Sequence, residues 1–351
     1  IGDYKFMDLF TPIAQIGVPY QGANGLTPNT IYTPDLAWQE TRKFEVGLEL
    51  GFLKDRILFS TSFYLNQSTN QLTNYNLPNI DGFSAVQKNL NAVVQNKGWE
   101  FTLNTVNITT GQFKWTSTLI VSLNRNTLKS GAPGLSPSWQ QYIGKPLSAM
   151  FYYKFLGVDP FTGLYQIAGA DGKPTTSPTS ADKTAMVNFE PDFFGGLQNS
   201  FSYKGFSLEF LIQFAKEIGN NYLYNYIPGT FTNTTGGNQP ATVLSRWQTP
   251  GDASNIQKFS QNFSVFNPWT YAQQSNQPYG DASYLKLQNV SLSWQLPDRW
   301  KQSMHMKNAR VYAQGENLFA ITPLHGLGIE GTLINALPPL RMITFGVQVT
   351  L

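Results

Sequence analysis

Between Arg341 and Leu351 apolar and polar side chains alternate: Ile343, Phe345, Val347, Val349 and Leu351 fall on one face, Thr344, Gly346, Gln348 and Thr350 on the other. A period of two predicts a β-strand, because successive side chains of an extended chain leave opposite faces. About ten residues of tilted strand are enough to cross a bilayer. The pattern recurs upstream. Phe44, Val46, Leu48, Leu50 and Phe52 oppose Glu45, Gly47, Glu49 and Gly51. Ile57, Phe59, Phe63 and Leu65 alternate with Leu58, Ser60, Ser62, Tyr64 and Asn66, and Trp99, Phe101 and Leu103 with Glu100, Thr102 and Asn104. Trp115, Leu119, Val121 and Leu123 have mainly polar neighbours, and Phe206, Leu208, Phe210, Ile212 and Phe214 oppose Ser207, Glu209 and Gln213. None shows the 3.6-residue period of an amphipathic helix. One strand changes phase: Leu285 and Leu287 share a parity that Val290, Leu292 and Trp294 do not, which places a β-bulge at Asn289.

The connections fall into two classes. Tight turns are expected at 53–56, 109–113 and 203–206, and a medium one from Pro297 to Asn308. Long segments rich in Gly, Pro, Asn, Ser and Thr cover about 10–37, 75–93, 129–191, 221–281 and 323–339. Short and long connections alternate, as in outer-membrane barrels with short periplasmic turns and long external loops. With the C-terminus periplasmic, strands at about 2–10, 38–52, 56–74, 94–108, 112–128, 192–203, 206–220, 282–296, 308–322 and 340–351 satisfy the parity. The expected fold is therefore all-β, a transmembrane antiparallel barrel wall of about ten strands with long extracellular loops. Apolar positions around Tyr152, Phe155 and Tyr165 then belong to a hairpin inside a long loop, and Asp171-Gly172-Lys173 to a hairpin turn.

Composition fits this reading. Charged residues are 13% of the chain, half the usual share, and aromatics 14%. Uncharged polar residues suit a watery lumen, and aromatics a lipid-facing wall. The net charge of +3 is small and its bases are scattered, which argues against nucleic acid. The absence of cysteine excludes thiolate metal sites, a cysteine nucleophile and disulfides. Apolar runs fall far short of the roughly 18 residues of a membrane helix, so a membrane reading is a barrel reading. The start, Ile1-Gly-Asp-Tyr-Lys-Phe6, has no initiator Met and no signal-peptide pattern, as expected of a piece of a longer polypeptide.

Five blocks carry a family resemblance: Tyr32–Thr41 running into Phe44–Leu53; Phe155–Leu164 (FLGVDPFTGL); Gly195–Leu208 (GGLQNSFSYKGFSL); Tyr284–Pro297 (YLKLQNVSLSWQLP); and Arg310–Phe319 (RVYAQGENLF). In this order they resemble the SusC/RagA family of TonB-dependent outer-membrane transporters of Bacteroidetes. The resemblance implies that residues 1–351 are the C-terminal part of a barrel of about 22 strands, with the plug domain, the TonB-contacting segment and the N-terminal strands lying outside the chain. It also implies import of glycans or peptides energised through TonB, with a SusD-like surface lipoprotein closing over the mouth, and no enzymatic chemistry or cofactor. The chain ends in Leu351 where many such barrels end in an aromatic residue. A second function class stays open, a SusC-like structural subunit of a larger outer-membrane complex without import.

Candidate sites are of two kinds. Trp139, Tyr142, Tyr222, Tyr224, Tyr226, Trp247, Trp269 and Tyr271 lie in expected external loops, where they can contact cargo or a lid protein, or pack the loops themselves. Glu45, Glu49, Glu100, Glu209 and Glu316, with Lys286 and Arg310, lie at expected lumen-facing positions, where the acids bind a cationic cargo or pair with the bases. Gly326-Leu-Gly-Ile-Glu-Gly331 matches a dinucleotide-binding pattern but lies between antiparallel strands, so its glycines read as loop punctuation. His305 and His325 fall in separate connections and predict neither a catalytic triad nor a metal pair.

Overall fold

In the computed structural model the alternation becomes a sheet. The structure describes residues 6–12, 25–78, 80, 82–131, 140–175, 177–221, 223, 227–229, 241–260, 262–324 and 339–350. Nine strands form one sheet: β1 (Glu40–Phe52), β2 (Ile57–Thr69), β3 (Val93–Thr110), β4 (Phe113–Ser130), β5 (Phe193–Tyr203), β6 (Phe206–Lys216), β7 (Tyr284–Gln295), β8 (Asn308–Ile321) and β9 (Met342–Thr350). Their order in the sheet is their order in the chain, a meander from β1 to β9. Among the described residues no helix is long and apolar enough to cross a membrane.

Nine of the ten expected strands are these nine. The other, at about 2–10, falls partly on residues 1–5, outside the described residues. Beyond them Phe10–Pro12 pairs with Leu26–Pro28 in a separate two-stranded hairpin. The sequence boundaries ran long at two strands. β2 stops at Thr69 because Asn70 adopts a positive φ of 60°, and Gln71–Asn76 then pairs with Ala85–Leu90. β6 stops at Lys216, and Ile218–Asn220 pairs instead with Tyr279–Asp281.

The register from β4 to β9 lays side chains in rungs across the sheet. On the apolar face the first rung is Phe113, Tyr203, Phe206, Trp294, Val311 and Val347, and the second is Trp115, Phe201, Leu208, Leu292, Ala313 and Phe345. Aromatic rings stack along the first two rungs, Phe206 on Trp294 at 5.5 Å and Trp115 on Phe201 at 5.3 Å. The third rung holds a polar pair. Asn199, 7% exposed, accepts from Ser117 Oγ at 2.6 Å and from Trp115 Nε1 at 3.0 Å, and Asn107 donates to Ser117 at 2.7 Å. Mutual bonding lets these groups sit on an apolar face, since an unpaired amide there costs several kcal/mol, about 2–7 by reference state.

The phase change in β7 is a bulge, but at Gln288 rather than Asn289. Leu287 pairs with Ile212 and Asn289 with Leu211, so Gln288 is the extra residue. One unpaired residue reverses parity, which keeps both Leu287 and Val290 on the apolar face.

The described residues form two compact units. The first comprises Ile1–Val46, Phe63–Gly98 and Arg125–Leu147, and the second Gly47–Ser62, Trp99–Asn124 and Ser148–Leu351. In the first, Asn89 ties its segments together, accepting from Ala37 N at 2.7 Å and donating to Ala37 O and Asn70 O. In the second, the best-buried residues lie in the long connections rather than in the sheet. Tyr165, Ile227, Trp269 and Ala272 make a core joined by Phe155, Val158 and Leu223. The expected hairpin is present as Lys154–Val158 against Tyr165–Ala168, and Pro174–Thr175 extends it across the Asp171-Gly172-Lys173 turn, where Gly172 has φ +80°.

Candidate functional site

Two surfaces can carry function: the polar face of the sheet and the folded connections at its long-loop end. On the polar face the rungs read Lys114, Ser202, Ser207, Ser293, Tyr312 and Gly346, then Thr116, Ser200, Glu209, Ser291, Gln314 and Thr344. Next come Thr118, Gln198, Leu211, Asn289, Glu316 and Met342. Hydroxyls and amides dominate. Such groups both donate and accept hydrogen bonds, so the face can pair with water or with a polar solute. At Gly346 on this face the Tyr312 ring occupies the space a Cβ would take.

The sequence-selected charges are spread over this face rather than gathered. Glu209 stands between Ser200 and Ser291 and accepts from Ser200 Oγ at 3.3 Å. Glu316 lies opposite Asn289 and Met342. Lys286 is buried, with Gln213 and Ala320 as its cross-strand partners. Arg310 donates to Gln348 at 3.1 Å and lies over the Tyr312 ring. Glu45, Glu49 and Glu100 are exposed on β1 and β3. The register sets neither Lys286 nor Arg310 opposite an acid.

The loop aromatics divide in two. Trp247 and Trp269 are interior residues of the folded connections. The Trp247 indole N–H donates to Pro160 O at 2.9 Å, and its ring fills the space beside Gly163. Trp269 donates to Ile227 O at 2.6 Å. Tyr271 is half-buried, edge-on to Tyr153 at 5.9 Å, and burial first, with the Tyr271 and Asp182 neighbours, raises the Tyr153 phenol above its usual range. Tyr142 is half-buried in a turn of the first unit. Trp139, Tyr222, Tyr224 and Tyr226 lie outside the described residues, as do His325 and the glycine-rich 326–331. His305 sits in the 297–308 connection with φ +55°.

Sequence reasoning missed a cleft at the long-loop end of β6, about 420 Å³, where Lys216, Glu217 and Asp281 meet Ile218 and Tyr279. Lys216 Nζ lies 2.9 Å from Asp281. The Ser283 hydroxyl and backbone N–H and the Lys216 ammonium hold Asp281 at a pKa of about 2. Burial pushes Glu217 up. No periodic pattern marks this cleft, because it forms only when Ile218–Asn220 leaves the wall to pair with Tyr279–Asp281.

The two-faced antiparallel meander has the architecture of a membrane β-barrel wall. No protein-family model matches the chain. It is similar to TonB-dependent receptor P26 of Formosa agariphila, 26% identical over 93% of this chain and 36% of that protein. It is also similar to the TonB-dependent receptor SusC of Bacteroides thetaiotaomicron, 24% identical over 90% of this chain and 32% of that one. The chain thus spans about a third of these relatives' length. The RagAB peptide importer in its open-open state superposes over 100% of this chain and 38% of its own, with a TM-score of 0.84 and 22% identity. By sequence the chain is thus similar to part of these TonB-dependent receptors, and by fold to part of the RagAB peptide importer.

Proposed function

We propose that the chain is the C-terminal wall of an outer-membrane active importer for peptides or glycans, energised through TonB and closed outside by a SusD-like lipoprotein. The polar face lines the lumen, the apolar face meets lipid, the short turns are periplasmic and the folded connections are extracellular. The segregation of rungs carries this reading. Six strands in register present hydroxyls and amides on one side and aromatic and aliphatic side chains on the other. A soluble sheet with one solvated face would cover the other with a second layer, whereas here Leu292, Val311, Phe345 and Val347 remain exposed. The RagAB likeness supports a two-component importer, with peptide as the first cargo to try.

The test uses the full-length protein in its native outer membrane. Uptake of labelled oligopeptides and oligosaccharides is followed with and without functional TonB, and epitopes inserted at Gly172 and at Lys204 are probed on intact cells. TonB-dependent uptake of one cargo class, with only the Gly172 epitope reachable, is expected. Reversed epitope exposure overturns the orientation. Absent uptake of both classes overturns import and leaves the structural-subunit role.

A further inference from the structure

We infer that the short-turn end of this wall carries an anionic-phospholipid anchor, centred on the helix Asp298–Ser303 and on Trp300. The inference rests on the barrel reading and adds to it a lipid contact of defined chemistry.

Three observations on different residues converge. First, the first apolar rung is aromatic in four adjacent positions, Phe113, Tyr203, Phe206 and Trp294, which marks the level where wall meets headgroups. Second, the helix continues that band beyond the last strand residue of β7. Trp300 packs edge-on against Trp294 at 5.5 Å and is itself 50% exposed; Met304, the residue just past the helix, is 49% exposed. A soluble turn gains nothing by holding a Trp and a Met in water. A turn lying at a membrane surface buries both rings and thioether among the upper acyl carbons.

Third, positive charge is concentrated at this end. Residues 53–56, 110–114, 203–206 and 296–308 hold seven Lys or Arg and two Asp, against a net charge of only +3 for the whole chain. Lys54, Lys204, Arg299 and Lys307 are exposed there. Lys204 Nζ lies over the Tyr203 ring, 5.2 Å from its centre, so its ammonium stands at the aromatic band itself. Within that tally Lys301 is paired with Asp298 at 2.7 Å, which cancels one base and one acid. An apolar aromatic edge followed by unneutralised bases complements a phospholipid, acyl chain first and phosphate next. A periplasmic protein partner would fit the bases but would leave Trp300 and Met304 continuous with a lipid-covered band.

The experiment reconstitutes the full-length protein in vesicles containing phosphatidylcholine or phosphatidylglycerol brominated high on the acyl chain. The fluorescence of Trp300 is isolated as the difference between wild type and Trp300→Phe. Trp99, exposed on the apolar parity of β3, is isolated through Trp99→Phe as the wall control. Both substitutions are conservative and neither residue is buried. Quenching of Trp300 is expected with both lipids, stronger with brominated phosphatidylglycerol, by roughly fivefold in relative affinity for each base that reaches a headgroup. Neutralising Lys204, Arg299 and Lys307 to Gln removes the preference while leaving quenching by phosphatidylcholine. Trp99 quenched and Trp300 unquenched overturns the anchor and leaves the wall reading standing, with water or protein covering the turn. Equal quenching by the two lipids overturns its anionic selectivity. If neither Trp is quenched, the wall reading fails and the anchor with it.

Discussion

Gln257 is fully buried, and its one amide serves three loop segments. Oε1 accepts from Tyr165 N at 3.1 Å, and Nε2 donates to Gly229 O at 2.7 Å and Val265 O at 3.0 Å. Tyr165 Oη and Trp269 Nε1 take the neighbouring carbonyls of Pro228 and Ile227. Gln257→Leu keeps the volume but strands these backbone groups, at about 1–3 kcal/mol for each left unpaired. The expected outcome is hydrogen exchange at Tyr165 faster by tenfold or more, with exchange in β5 and β6 unchanged. Uniformly faster exchange would mean the loop core and the wall open as one unit. Asp281 makes a second prediction, in pH. Its pKa is lowered to about 2, so the stability it contributes is present above the ordinary carboxylate range and is lost as pH falls from about 4 toward 2. Glu217, raised by burial, acts in the opposite sense: its contribution is largest when protonated and falls as pH rises through and beyond the ordinary range. Asp281→Asn should flatten the acid limb of a melting-temperature profile between pH 4 and 2, and an unaltered limb would place the acid response elsewhere.

The turns and the bulge decide whether the strands register. Lys204 and Gly205 both have positive φ, 47° and 83°, the conformation that matches a two-residue turn to the twist of its strands. A Cβ at Gly205 would also lie 2.9 Å from Gln295 O. Gly205→Val should therefore reduce outer-membrane assembly well beyond what loss of a surface glycine costs. Deleting Gln288 is more severe. It removes the parity reset in β7, so either Leu285 and Leu287 or Val290 and Leu292 must face the polar side. Little assembled full-length protein is expected on a heat-modifiability gel, and wild-type mobility would show that the bulge is dispensable. Alternation made the strands and the need for a reset legible, because facing is periodic. The choice between Gln288 and Asn289 was not, since either residue restores the same parity and only pairing with Leu211 and Ile212 separates them. Trp247 and Trp269 resisted reading for a related reason. An aperiodic loop does not signal which of its aromatics turn inward, and their carbonyl partners Pro160 and Ile227 lie 87 and 42 residues away.

At the scale of the molecule the unfinished features are the two edges of the sheet. Among the described residues β1 and β9 each have a neighbour on one side only, and each is exposed along nearly its whole length. An open edge of this length, with Phe44, Val46, Leu48, Ile343, Phe345 and Val347 on its apolar parity, is a template for pairing with any extended chain. In hydrocarbon it is worse, because each unpaired N–H or carbonyl lacks even water as a partner. The chain spans about a third of its relatives' length, so strands to close both edges are available in a protein of that size. This yields a contrast between two samples. In the full-length protein, the outward amides of β1 and β9 should exchange as slowly as those of β5 and β6, which are paired on both sides. In residues 1–351 refolded alone in detergent, β5 and β6 should keep protection while the outward amides of β1 and β9 exchange at nearly the unfolded rate. Concentration-dependent protection of the edges in the short chain would show copies pairing edge to edge. Slow, concentration-independent exchange at both edges would mean that this wall closes on itself, and the larger barrel would then be wrong for this chain.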